Sequence, residues 1–434
     1  MKTYKLPVVA SILLASAATT SSAANEGDFS SRWELMAEAY SSVQQILGGD
    51  GGTEQRLSAL ETEMALFKEQ CNLLAKIERA TCLDDLTRLT TMATTAVNPD
   101  DETRNQLFPT NIPNFVSPEM KKIMANWTPF WLAPGWEGFP DPDDYGAWQT
   151  LHDEVIDPAT RAGEALLDSL DVTTQEREIG GVRTVVVSPK ENLNPGKVLI
   201  HVHGGAFYAN TPETTFDRTA PLSNVMGIDI VSVDYKLMPA PDWDVLDQRD
   251  QIIDVFDALT GEGGEYAPED VGIYGCSAGG GLVAMATNEM SHRGGPLPAA
   301  AVTQSPQTDF TLDSDSNWTL RYDDPRTQVD LLIQSVWPML GITEEKALDP
   351  RYSPALDDYS GRDMPPTMVQ VGTKETQMSD GIRYYDVVRR GGHVTQLDAH
   401  DAMQHCFHGH WGTPEAETAV GRVAEWFEEH LYKK

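Results

Sequence analysis

Apolar residues recur at spacings of three and four from Ser30 to about Leu47, at Trp33, Met36, Tyr40, Val43 and Leu47. A run of Gly48-Gly49-Asp50-Gly51-Gly52 breaks the rhythm, which resumes at Leu57, Leu60, Met64, Phe67, Cys71 and Leu74. Such spacing lays one apolar stripe along a helix. Two helices joined by a glycine turn are expected. They form either a coiled-coil arm that pairs two copies or a hairpin folded within one chain, and the few heptads in each favour the hairpin. From about Gln175 the period changes. Strands are expected at Val182 to Val187, Val198 to Val202, Ile228 to Val233, Val271 to Tyr274, Ala299 to Thr303, Thr367 to Val371 and Val394 to Leu397. Helical patterns lie between most of them, at Asp244 to Leu259, Ala278 to Ser291 and Ser379 to Arg390, and Glu415 to Tyr432 closes the chain. This alternation predicts an α/β fold with a mainly parallel central sheet. The strand runs are almost continuously apolar, as suits strands covered on both faces.

Four segments follow. Residues 1–24 read as a signal peptide, with a basic start at MKTYK, a short apolar run and small residues at Ser22-Ala23-Ala24. The run is shorter than the roughly 20 residues needed to cross a bilayer, so an exported (periplasmic or secreted) chain with no membrane span in the mature body is expected. Residues 25–97 form an N-terminal helical arm. Residues 98–174 are rich in Pro, Asn, Asp and Trp and read as linker and lid, in which Trp127, Phe130, Trp131 and Trp136 are candidates for an apolar lining. Residues 175–434 are expected to form the α/β domain.

Charge narrows the partners. The 434 residues carry 32 Lys and Arg against 66 Asp and Glu, a formal charge of −34. That balance excludes nucleic acid as a main partner and suits high ionic strength. Four cysteines are too few for a disulfide-built scaffold. Cys71 and Cys82 would stand about 16 Å apart on one straight helix, too far to bond, so a bond between them requires a turn. Cys276 and Cys406 are expected as reduced thiols, with a bond between them the sharper and less favoured reading.

The chemistry concentrates in two loops. Val271 to Gly281 reads as a strand, a sharp turn and a helix start, and holds Gly275-Cys276-Ser277-Ala278-Gly279, a G-x-S-x-G motif. Small neighbours let a tight, strained turn project the Ser277 hydroxyl above the sheet. Upstream, the strand at Val198 to Val202 runs into His203-Gly204-Gly205-Ala206-Phe207-Tyr208. There the N–H groups of Gly204 and Gly205, with that of Ala278, are placed to form an oxyanion hole.

Together these motifs resemble the hormone-sensitive lipase-like branch of the α/β-hydrolase family, which includes bacterial carboxylesterases. The resemblance covers roughly Gln175 to the C-terminus. Asp234-Tyr235-Lys236-Leu237-Met238-Pro239 is similar to the family's D-Y-R-L-A-P segment, with Lys and Met as departures. Asp349-Pro350-Arg351-Tyr352-Ser353-Pro354 and Met364-Pro365-Pro366-Thr367 are also family-like. The resemblance implies the α/β-hydrolase fold with an eight-stranded sheet, a lid from the N-terminal region, and no cofactor. It places the catalytic acid three residues beyond Gly372, at Glu375, with Asp380 as the competing candidate. It places the base in Met403-Gln404-His405-Cys406-Phe407, at His405. The expected activity is hydrolysis of small-molecule esters with short to medium acyl groups. A lactone hydrolase, a peptidase and a non-catalytic binding protein on the same scaffold are the alternatives. His400, His405, His408 and His410 with Cys406 form a His-rich tract. The hydrolase register already accounts for His405, and no metal is expected. The N-terminal helices leave a homo-oligomer open.

Overall fold

The computed structural model describes residues 52–72, 112–126, 160–320 and 336–432 continuously, with 140–152 apart from 142 and scattered positions between 35 and 94 and at 324. The leader and the Trp127, Phe130, Trp131 and Trp136 cluster lie outside the described residues. The chain divides into two compact units, Met1–Asn98 and Pro99–Lys434.

In the first unit, helix α1 (Thr53–Cys71) buries Leu60, Met64, Phe67 and Cys71, the stripe its spacing predicts. Asn72 caps it, so the helix ends at Cys71. The chain then brings Cys82 back to a bonded partnership with Cys71, their Cα atoms 5.6 Å apart. No helix among the described residues is long and apolar enough to cross a membrane.

The second unit begins with helices α2 (Pro118–Asn126), α3 (Tyr145–Leu151) and α4 (Thr160–Leu170). An eight-stranded sheet follows. In chain order its elements are β1 (Val172–Ile179), β2 (Val182–Pro189), β3 (Val198–Val202), α5 (Phe216–Met226), β4 (Asp229–Val233), α6 (Val245–Thr260), β5 (Val271–Cys276), α7 (Ala278–Arg293), β6 (Ala300–Gln304), β7 (Thr367–Gly372), α8 (Met378–Arg390), β8 (Thr395–His400) and α9 (Pro414–Leu431). The strand order is β1-β2-β4-β3-β5-β6-β7-β8. Strands β3 to β8 are parallel, while β1 and β2 run antiparallel at one edge.

Strand β1 is absent from the sequence reading, which assigned Val172 to Thr174 to the linker. Its VTTQEREI sequence is exposed along most of its length and buries only its two ends. An edge strand held by backbone pairing needs no apolar face, so it leaves no hydrophobic signal. Inside the sheet the alternation is clear. Val198, Ile200 and Val202 point to the layer of α6 and α7, and Leu199 points to that of α5 and α9. Parallel strands send every β-to-α loop to the same carboxyl edge, where ligands bind in such sheets.

The segment before β1 is built into this unit. Val116, Met120 and Met124 pack with Met403, Phe407 and Ala419. Ser117 donates from its backbone N–H (2.6 Å) and its hydroxyl (2.7 Å) to the carboxylate of Glu415 at the start of α9.

Two glycines fix how closely α7 approaches the sheet. A Cβ on Gly279 would sit 2.1 Å from the Val202 carbonyl oxygen and 2.4 Å from that of His203. One on Gly275 would sit 2.6 Å from the carbonyl oxygens of both Gly279 and Val202. Only bare backbone fits. At the other edge, Asp398 of β8 is buried and accepts hydrogen bonds from Gln370, His400 and Arg422. Burial alone would raise its pKa. The bonds from His400 and Gln370, with the charge of His400 and the bond from Arg422, outweigh that and bring it down from 3.8 to about 2.

Two outcomes follow. Gly279→Ala is expected to cost about 3 kcal/mol in urea denaturation, because backbone on both sides must give way. The depressed pKa of Asp398 makes its ionised form a stabilising group. That contribution is full above about pH 4 and is lost as pH falls through about 2. Asp398→Asn is therefore less stable than wild type at neutral pH, and the gap between the two denaturation midpoints should shrink between pH 4 and pH 2.

Candidate active site

The site is assembled from loops at the carboxyl edge of β3, β5, β6, β7 and β8. Ser277 joins β5 to α7 and has φ 60° and ψ −125°, in a region that side chains with a Cβ avoid. The strain persists because the turn is pinned all round. The Ser277 N–H donates to the Gln304 carbonyl at 2.9 Å, and its own carbonyl accepts from Gly281 (2.9 Å) and Gln307 (3.3 Å). This is the strand–turn–helix context that G-x-S-x-G requires. The hydroxyl stands half-buried at the N-terminus of α7, where helix N–H groups favour negative charge.

The His203–Tyr208 loop approaches from β3. A Cβ on Gly204 would fall 2.7 Å from the Cys276 carbonyl oxygen and 3.1 Å from Ser277 Cβ, so this loop lies directly against the turn. Gly205 has φ +116°, and a Cβ there would meet the Ala209 carbonyl oxygen at 2.1 Å. The Gly205 carbonyl accepts from the N–H groups of Tyr208 and Ala209, which folds the loop back on itself. Among the described residues, the N–H groups of Gly204, Gly205 and Ala278 donate to no backbone carbonyl outside helices and strands. His203 is fully buried, stacks on Tyr235 with ring centroids 4.1 Å apart, and holds Gly204 through a 2.8 Å contact from Nδ1 to its carbonyl. Burial lowers its pKa to about 4, so it is neutral at physiological pH. The Tyr235 hydroxyl donates to the His203 carbonyl at 2.8 Å. Trp148 of α3 meets Tyr208 edge-on at 5.2 Å.

His405 and Glu375 meet on the other side. Glu375 lies in the turn after β7 and is fully buried. Its Oε1 accepts from the Gly372 N–H at 2.8 Å, and its Oε2 lies 3.0 Å from His405 Nδ1. The first bond fixes the carboxylate and the second fixes the ring. Asp380 sits elsewhere, in the first turn of α8. Its Oδ2 accepts from Gln307 at 3.0 Å and its Oδ1 from Asn317 at 3.3 Å. Burial pushes its carboxyl well above the usual range. Of the two candidate acids, only Glu375 makes a hydrogen bond to His405 among the described residues.

The cysteines correct the sequence reading. Cys276 and Cys406 form a disulfide, with Cα atoms 6.4 Å apart, and are not the reduced thiols expected. Spacing gave no hint, because 130 residues separate them. Their sulfurs lie with a ring nitrogen of His408 in a group whose atoms are all within 4.8 Å of one another. With both sulfurs bonded to each other, neither is a thiolate ligand. Within the His-rich tract, His400 pairs with Asp398 and His405 with Glu375. Sequence reasoning also left Tyr235 and Trp148 without a role. The Asp-Tyr pair of the family-like segment was a usable signal for Tyr235. Trp148 had none.

Residues 199–409 match a family model described as the alpha/beta hydrolase fold. An esterase of Acinetobacter venetianus is 29% identical over 257 residues, which is 58% of this chain and 82% of that protein. An acetyl-hydrolase of Streptomyces hygroscopicus is 26% identical over 246 residues, 56% of this chain and 80% of that protein. Among solved structures, an esterase called E25 superposes with a TM-score of 0.64 at 21% identity, covering 74% of this chain and 98% of its own. EstE7, a hormone-sensitive lipase homologue from a metagenome library, gives 0.56 at 25% identity, covering 67% and 99%. With the strand–turn–helix at Ser277, the glycine loop and the eight-stranded sheet in place, the chain has the α/β-hydrolase fold and is similar to esterases of the hormone-sensitive lipase-like branch.

Proposed function

We propose that this chain is an exported serine carboxylesterase that cleaves short to medium acyl esters through an acyl-enzyme. The observation that carries the reading is the His405–Glu375 hydrogen bond, formed in a loop covalently tied to the residue beside Ser277. Relatives named esterase and acetyl-hydrolase support an ester substrate. The leader-like residues 1–24 support export.

The chemistry follows from the groups. Nδ1–H of His405 donates to Glu375, which leaves Nε2 with the lone pair. Nε2 takes the Ser277 proton as Oγ attacks the ester carbonyl carbon. The N–H groups of Gly204, Gly205 and Ala278 receive the charge that develops on the carbonyl oxygen. Glu375 stabilises the imidazolium. The imidazolium returns the proton to the leaving alcohol, and water, activated by the same nitrogen, then releases the acid. Because α7 and the glycine loop are held rigidly, the donors are in place before the charge appears.

Hydrolysis of p-nitrophenyl esters of graded chain length tests this. Ser277→Ala should lose at least about 10³-fold in kcat. Activity that survives the substitution rejects the nucleophile, and inactivity of the native chain on every ester favours a lactone, a peptide or a binding role. Glu375→Ala should cost about 10³-fold in kcat with KM little changed. Asp380→Ala should act mainly on stability, because it removes a buried partner of Gln307 and Asn317. The reverse ranking in kcat would move the acid to Asp380. Tyr235→Phe frees the His203 carbonyl from its hydroxyl donor. A fall of about fivefold in kcat is expected, corresponding to one hydrogen bond of about 1 kcal/mol.

A further inference from the structure

We infer that the Cys276–Cys406 disulfide is a positioning element, which holds the base loop over the nucleophile and makes the rate depend on its oxidation state. The inference rests on the roles proposed above for Ser277 and His405, since each cysteine is the chain neighbour of one of them.

Sheet topology states the problem the bond solves. Ser277 follows β5, and His405 follows β8, the edge strand three places along the sheet. At about 4.8 Å per strand the two strands lie about 14 Å apart. The loop after β8 must therefore travel back over β7 and β6 to bring an imidazole to a hydroxyl above β5. Along the way it is held by modest contacts. The Lys374 N–H donates to the Met403 carbonyl at 2.9 Å, Glu375 meets His405, and the Cys406 N–H donates to Ser305 Oγ at 3.1 Å. At the far end the only covalent tie is the disulfide, from Cys406 to the last residue of β5.

One of the cysteines it joins, and the residue after the other, occupy conformations that side chains avoid. Cys406 has φ 53° and Ser277, next to Cys276, has φ 60°. Such conformations persist only where the surroundings over-determine them. The bond is buried, with Cys276 2% and Cys406 5% exposed. The second disulfide, Cys71–Cys82, belongs to the other unit.

Opening the bond is a two-electron reduction. A dithiol reductant supplies two electrons and two protons, the sulfur–sulfur bond breaks, Cys276 and Cys406 become thiols, and the dithiol closes to its own disulfide. The loop then keeps its fold but loses its register over Ser277. Displacement of about 1 Å in such a pair costs up to about 100-fold in rate.

The test compares native chain, Cys276→Ser/Cys406→Ser and Cys71→Ser/Cys82→Ser on one p-nitrophenyl ester, with non-reducing peptide mapping of the native chain. The map should show a 276–406 cross-linked peptide. The Cys276→Ser/Cys406→Ser chain should lose about 10- to 100-fold in kcat with KM within about twofold, and the acidic limb of its kcat/KM profile should move, because His405 no longer sits in the same surroundings. Cys71→Ser/Cys82→Ser should retain the native kcat. Free thiols at 276 and 406 in the native map, or a native kcat and pH profile without that bond, would overturn the inference while leaving ester hydrolysis intact. A native chain with no hydrolysis overturns both readings. Circular dichroism reports whether the doubly substituted chain folds. If it does not, native protein in graded dithiothreitol is assayed while the thiols of 276 and 406 are counted by alkylation. Activity that falls as those two thiols appear supports the inference, and activity unchanged as they appear overturns it.

Discussion

The close approach of α7 to β3 and β5 governs everything built above it. Gly275 and Gly279 let two elements touch through backbone alone, which forces the connection at Ser277 into its left-handed turn. A wider spacing would relax the turn, withdraw the hydroxyl and move the Ala278 N–H away from the glycine loop. The unfavourable conformation of one residue is thus the visible result of a packing constraint spread over two strands and a helix. It is maintained by the hydrogen bond that the Ser277 N–H donates to Gln304 and by those that its carbonyl accepts from Gly281 and Gln307.

Around that turn, buried polar groups are sorted by partner. Glu375 faces a backbone N–H and an imidazole. Asp380, five residues on, faces amide donors from Gln307 and Asn317 in a setting that favours its neutral form. The same side-chain chemistry is therefore turned toward an imidazole in one case and held among side-chain amides in the other. Their burial is similar, and what separates them is the company each keeps.

Much of this was readable from the chain. The inner strands announce themselves by continuous apolar runs, and the stripe of α1 by its spacing. Ser277 and the Gly204-Gly205 pair stand out because few sequences place that chemistry at the end of strand-like runs. Strand β1 was hidden because an edge strand satisfied by backbone pairing can be almost wholly polar. Spacing from Gly372 favoured Glu375 over Asp380 only through the family resemblance, since both follow the same strand and the direction of each side chain is what separates their partners. The Cys276–Cys406 bond was set aside in favour of reduced thiols for a related reason: it joins positions brought together by the sheet and not by the chain.

The bond from Ser117 to Glu415 has a bearing on where the hydrolase begins. It spans 298 positions and clasps the leading segment to the last helix, beside Met120 and Met124 packed under Phe407. A fragment started at the first strand of the sheet would therefore expose an apolar seam next to the imidazole loop and leave a carboxylate of α9 without its donors. The smallest piece able to stand alone must reach back to about residue 112, well ahead of any recognisable motif.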